Sequence, residues 1–186
     1  MSVATDHTGP WTVADVLALS EDRTTRYELL GESLVMSPAP GIRHQRASFR
    51  LHVILDAAAR AAGAPVEVLE AINVTLPSGL VVPGLVVTDA GATVKDTVSV
   101  DADAVQLVVE LVSPGNTMDR KFKPLLYAEV AIPHFWRLEF DPAPRLIVSE
   151  LHAGRYVESS TALAGATTRI NAPFPVDIDP AGLTRQ

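Results

Sequence analysis

The sequence predicts a mixed α/β (α+β) fold in which a central sheet is flanked by helices, and three observations predict it. Residues 42–62 carry apolar side chains at helical spacing, with Leu51, Ile54 and Leu55 on one face and Phe49 and Val53 near it, and Gly63 follows as a stop. Three strand-like apolar runs come next, at residues 66–76, 80–88 and 105–112. A second helical stretch, residues 118–130, then separates the last run from a further strand at 134–140. Helix, three strands, helix and strand, in that order, belong to a layered α/β or α+β protein.

The elements follow in chain order. Residues 1–10 read as a loose tail. Residues 11–18 carry helix signals, with Thr12 as cap and Asp15 in the first turn. Residues 26–36 read as two short strands joined at Gly31 and ended by Pro38 and Pro40. After the long helix, Pro77-Ser78-Gly79 makes a hairpin turn between the first two runs. A polar stretch leads to Asp103, and Ser113-Pro114-Gly115-Asn116 is a turn. Residues 145–151 and 155–159 form a hairpin around Gly154, and the loop-rich end packs as a cap. Neither repeats nor a linker are visible, so residues 11–186 read as one domain.

Composition narrows the function classes. Hydrophobic residues make up 47% and charged residues 20% of the 186, as in a globular chain. There are no cysteines, which excludes disulfides, thiolate zinc sites and a cysteine nucleophile. The start lacks a basic segment followed by an apolar run, and polar residues, Pro or Gly interrupt every apolar stretch, so the chain is expected in the cytoplasm with no membrane span. Abundant Ala, Val, Leu and Pro beside only Lys95, Lys121 and Lys123 fits a GC-rich bacterial genome. The net charge of −7 opposes strong bulk attraction to nucleic acid, so any DNA contact needs a local basic patch.

Glu110 is the sharpest chemical feature. In the run 105–112 it shares one face with Gln106, Val108 and Val112, and a carboxylate in so apolar a strand needs a partner or a metal ion. Arg120, Lys121 and Lys123 follow, either as its ion-pair partners or as a source of a lysine that orients water and stabilises phosphorane-like charge. His44 stands with Arg43, Arg46 and Arg50 at the start of the long helix, as an exposed polar turn or a phosphate contact. Glu28 and Glu32, taken alone, read as surface residues of a hairpin. A Gly-rich phosphate loop, HExxH and GxSxG are all missing.

Together these segments resemble one family. Tyr27-Glu28-Leu29-Leu30-Gly31-Glu32, Ser37-Pro38-Ala39-Pro40 with His44-Gln45, the strand at 82–87, and Val109-Glu110-Leu111-Val112-Ser113-Pro114 come in order. Asp119-Arg120-x-x-Lys123-x-x-x-Tyr127-Ala128 and Ile132-Pro133-His134-Phe135-Trp136 complete the pattern. Over about residues 11–160 it resembles the Uma-two-type restriction endonucleases of the PD-(D/E)XK nuclease superfamily. The resemblance implies a restriction-endonuclease-like central mixed sheet and a metal-dependent DNA endonuclease using Mg2+ or Mn2+. It assigns Glu110 as metal ligand and catalytic carboxylate and Lys123 as the lysine that helps activate water, with Glu28 and His44 lining the site. A homodimer is compatible with it.

Two departures qualify that implication. The family's Pro-Asp is Pro83-Gly84 here, so one metal-binding carboxylate is missing. Asp89 lies five positions on, facing the other way and roughly 16 Å along the strand. A hairpin centred near Ser78-Gly79 would instead bring Asn73 opposite Gly84, offering a neutral amide oxygen, a weaker ligand for a hard cation. Pro124 also disfavours a helical conformation at Lys123 and leaves Lys121 as the fallback. On chemistry alone, a member that keeps the fold and binds nucleic acid or protein without cutting is slightly favoured over an active endonuclease.

Overall fold

A computed structural model describes residues 7–19, 24–95, 97–113 and 115–185; of the expected tail, residues 1–6 lie outside these, as does Pro114 of the expected turn. Among the described residues, thirteen strands and four α-helices follow one another. The first are α1 (Val13–Leu17), β1 (Thr25–Leu30), β2 (Ser33–Pro38) and α2 (Ile42–Ala62). Then come β3 (Val66–Glu70), β4 (Asn73–Leu76), β5 (Gly79–Val81), β6 (Leu85–Asp89), β7 (Ser99–Asp101) and β8 (Val105–Val112). A π-helical turn, Met118–Phe122, leads into α3 (Lys123–Glu129), followed by β9 (His134–Glu139), β10 (Arg145–His152) and β11 (Arg155–Leu163). The chain ends with β12 (Thr168–Ile170), β13 (Val176–Ile178) and α4 (Pro180–Thr184).

Local signals act as read at several ends. Thr12 and Asp15 form a reciprocal capping box on α1. Gly63 closes α2 in the left-handed conformation, φ 64°, which costs glycine least.

The sheets are organised differently from the sequence expectation. The runs expected as single strands at 66–76 and 80–88 each split in two. β3 and β6 pair in a six-stranded sheet of order β11-β10-β9-β8-β6-β3, whereas β4 and β5 pair in a five-stranded sheet of order β2-β1-β5-β4-β7. The first run changes sheets at Ala71, φ 50°, and the second through Val82-Pro83-Gly84. The turn at Ser78 is where it was expected, pairing Leu76 with Gly79 and Val74 with Val81. Gly84 lies beyond that hairpin, and its carbonyl accepts from the Ala71 amide at 3.2 Å. Asn73 is therefore not opposite Gly84. The loop-rich end carries a two-stranded sheet and a helix, and Ile170, Phe174, Val176, Ile178 and Leu183 enter the core.

The six-stranded sheet is covered on both faces. Alternation sends Leu107, Val109 and Leu111 of β8 toward Ala47, Leu51 and Leu55 of α2. Val108 faces the other way, into a second core with Val74, Val81, Tyr127 and Phe135. Glu110 shares the face of Val108, so the carboxylate is directed under α3. Since β8 and β9 run parallel, a crossover must join them, and α3 supplies it.

Candidate functional site

Three elements deliver charged groups to one buried point. β1 carries Glu28, β8 carries Glu110, and Lys123 opens α3; their side chains are no more than 5% exposed. The Lys123 ammonium lies 2.7 Å from Glu28 Oε1, 3.3 Å from Glu110 Oε1 and 3.1 Å from Asp119 Oδ1. The ammonium is thus ion-paired with three carboxylates at once and donates a hydrogen bond to Glu110 Oε1. The Tyr127 hydroxyl donates to Glu110 Oε1 at 2.6 Å, and the Val82 amide to Glu28 Oε1 at 2.8 Å. Asn116 holds Asp119 by donating from its side chain, while its own amide oxygen accepts from the Asp119 amide at 3.2 Å.

Lys123 points into this cluster despite Pro124. Its backbone is right-handed helical, φ −57° and ψ −40°, where proline as next residue disfavours it. The preceding π-helical turn delivers the chain to that geometry, and Pro124 falls in the first turn of α3, where a missing N–H leaves no helical bond unmade. The three ion pairs offset the conformational cost. Lys121, the fallback, is exposed.

The charge balance is uneven, because three carboxylates face one ammonium. Burial raises the Glu110 carboxyl to about 7; Lys123 opposes this, Asp119 and Glu28 reinforce it, and the Tyr127 hydrogen bond opposes it. Burial draws the Lys123 ammonium down, but Glu110, Glu28 and Asp119 reverse this and hold it above its ordinary range. Burial, then the charge on Glu110, push the Tyr127 hydroxyl upward.

A cleft of about 380 Å³ is lined by Arg26, His44, Ser48, Glu70 and Gly84 among others. Burial lowers His44 to about 4; the charge of Arg26 adds to this and that of Asp119 opposes it, so the ring is neutral at pH 7. Glu70 pairs across the strands with Leu85, next to Gly84, but accepts from Ser48 Oγ at 2.9 Å and lies 3.4 Å from His52 Nδ1. Both partners are on α2, so Glu70 faces α2 while Glu110 faces α3.

Of the residues read from the sequence, the structure brings Glu28, Glu110 and Lys123 into contact, and it places His44 and Gly84 together on the cleft wall. Asn73 is elsewhere, its side-chain nitrogen donating to the Val98 carbonyl at 2.8 Å. Arg50 and Arg43 are turned to other partners: Arg50 donates to the carbonyls of Gly182 and Arg185, and Arg43 to the Phe140 carbonyl. Asp89 is exposed and accepts from Gln106. Asp119 and Tyr127 complete the buried cluster, although their charge and hydroxyl were not read as site groups. The signal was present, since Asp119, Lys123 and Tyr127 recur at four-residue spacing on one helical face.

The arrangement does not fit a divalent cation. Its hard oxygen donors are the right chemistry, but they converge on an ammonium. Among the described residues, His, Asp and Glu form no group of three or more able to hold a metal ion. At Gly84 an added Cβ would stand 2.6 Å from Leu111 Cδ1 and 3.1 Å from the Val109 carbonyl oxygen, so Leu111 packs the place where a carboxylate stem would start. Gly84→Ala is expected to cost about 1–3 kcal/mol, and less in a Leu111→Val background that removes Cδ1. Urea unfolding of the four proteins checks this; equal costs in both backgrounds would show that Leu111 is not the obstacle.

This architecture, a mixed sheet covered on both faces, is the restriction-endonuclease-like fold. A structure described as a putative nuclease belonging to DUF820 from Anabaena variabilis has the same fold, with a TM-score of 0.73 over 94% of this chain and 98% of that one, at 13% sequence identity. Residues 13–184 match the Uma2 family, described as "Putative restriction endonuclease", and the chain belongs to that family. The curated proteins contain no match to it.

Proposed function

We propose that the chain is a nuclease-fold protein of the cytoplasm that binds DNA without hydrolysing it. The observation that carries this reading is the engagement of Lys123. A lysine that activates water needs an N–H aimed at the attacking oxygen or the phosphate, and here the ammonium is ion-paired with three carboxylates within 3.3 Å. Gly84 supports the reading from the other side, because the family's second carboxylate has no replacement there and Leu111 packs the space. Neither Glu70 nor Asn73 joins Glu110.

One observation favours the alternative, a Mg2+- or Mn2+-dependent endonuclease. The cluster sets three carboxylates against one ammonium, so a divalent cation would find charge to balance. Incubation with plasmid and single-stranded DNA in magnesium and in manganese, beside Glu110→Ala, separates the two. The expected result is a retarded duplex and no nicking in either metal. Cleavage that disappears in Glu110→Ala would overturn the proposal and establish the endonuclease. Gel filtration of the same samples decides whether the chain is a homodimer.

A further inference from the structure

We propose that Arg120, Arg137 and Arg145, gathered on the buried carboxylate of Glu139, form a binding site for a phosphate group of a nucleic-acid backbone. Glu139 is 1% exposed, accepts hydrogen bonds from Arg120 and Arg145, and forms an ion pair with Arg137. Arg120 reaches it through Nη1, Arg137 Nε is 2.9 Å away, and Arg145 Nε also stands at 2.9 Å while its Nη2 approaches the same carboxylate oxygen at 2.5 Å. Burial pushes the Glu139 carboxyl up, but the Arg145 hydrogen bond and the charges of Arg137, Arg120 and Arg145 hold it below the usual range.

One carboxylate needs one guanidinium. Three of them leave two positive charges in excess at one place, on a chain whose net charge is −7. The guanidinium groups repel one another there, and an anion would relieve that repulsion. The arginine side chains are also open to an anion, being 31%, 25% and 44% exposed. Each guanidinium has five N–H donors, and among the described residues no acceptor other than Glu139 engages these three side chains. Anchored on Glu139, their planar guanidinium forks match pairs of oxygens on a tetrahedral phosphate. Asp141, the nearest further carboxylate along the chain, is engaged by Arg43 at 3.3 Å.

The position joins this cluster to the buried carboxylate–lysine cluster. Arg137 pairs with Glu110 across β8 and β9, and Glu139 pairs with Val112 two positions on, so both share the Glu110 face. Arg120 directly follows Asp119. A strand of nucleic acid held here would lie on the same face of the sheet as that cluster. The DNA-binding reading gives the ligand its identity; the anion site itself stands on the arginines.

Two probes test it: a fluorescein-labelled duplex titrated at several salt concentrations, and inorganic phosphate followed on the arginine Nε–H signals by NMR. The proteins are the wild type, R120Q, R145Q and R120Q/R145Q, with Arg137 kept to neutralise Glu139. Each single change is expected to weaken duplex binding about tenfold, and the double variant to reduce the logarithmic salt slope by about two. Thermal melts check folding; if the double variant fails to fold, R120Q/E139Q/R145Q, which removes the buried charge as well, takes its place. Unchanged duplex affinity and slope in the double variant would overturn the proposal, as would phosphate that leaves the arginine signals unmoved when the wild type does not bind the duplex. Phosphate shifts lost in the double variant, together with no duplex binding by the wild type, would keep the anion site and remove the DNA reading instead.

Discussion

Lys123→Met is expected to lower stability by about 3–5 kcal/mol, enough to leave much of the protein unfolded at 37 °C. Methionine keeps the length of the side chain and removes its charge. Glu28 and Asp119 then lose their ammonium partner, and Glu110 keeps only the Tyr127 hydroxyl. The Lys123 side chain is 4% exposed, so solvent screens these pairs little. The contrast with Arg60–Asp56 is instructive: that pair also spans one helical turn at 3.0 Å, but its arginine is 79% exposed, and breaking it is expected to cost no more than about 0.5 kcal/mol. Adding Glu28→Gln and Glu110→Gln to Lys123→Met should restore much of the loss, because buried amides cost far less than buried, unpaired charges. Urea unfolding measures all three. A lysine poised in an open active site would behave oppositely: its replacement would abolish cleavage and leave stability nearly unchanged.

How much of this was legible in the sequence depends on whether the signal was local. Periodicity and Gly63 define α2, the capping box defines α1, and the apolar run around Glu110 defines the central strand. The resemblance led to Glu28, although its hairpin setting read as surface. Glu28 is buried because β5 pairs with β1 and brings the Val82 amide onto its carboxylate, a contact 54 residues apart in sequence. The change of sheet in the middle of two apolar runs was not legible. Ala71 makes the first crossing at φ 50°, and nothing in alanine's preferences advertises a left-handed residue. That crossing is why Asn73 ended in a different sheet from β6. The arginine cluster was also hidden, since Arg120, Arg137 and Arg145 come from three separate elements and meet only once β9 lies between β8 and β10. Gly84 was visible as a departure from the family pattern, but Leu111 as its physical counterpart was not.

Glu110→Gln is expected to flatten the dependence of stability on pH between about 4.5 and 7. The Glu110 carboxyl has an ordinary value of 4.5 and is raised to about 7 in the folded protein. Between those values the native state binds more protons than the unfolded chain, so stability falls as pH rises. The contribution is fully present below 4.5 and lost as pH rises through 7; it is on the order of 3 kcal/mol across the window. His44 works in the opposite sense. Its ring falls from 6.5 to about 4, so the unfolded chain binds the extra proton and stability rises with pH until about 6.5. His134 is lowered as well and has the same sign. Raw curves of the wild type therefore mix opposing terms, whereas the difference between wild type and Glu110→Gln cancels the histidines. Urea unfolding at intervals from pH 5 to 8 should show the wild type losing stability relative to the variant as pH rises. Parallel curves would mean that Glu110 takes up no proton near neutrality. Its carboxylate would then stay charged at neutral pH, which would favour the metal-dependent reading over the one proposed.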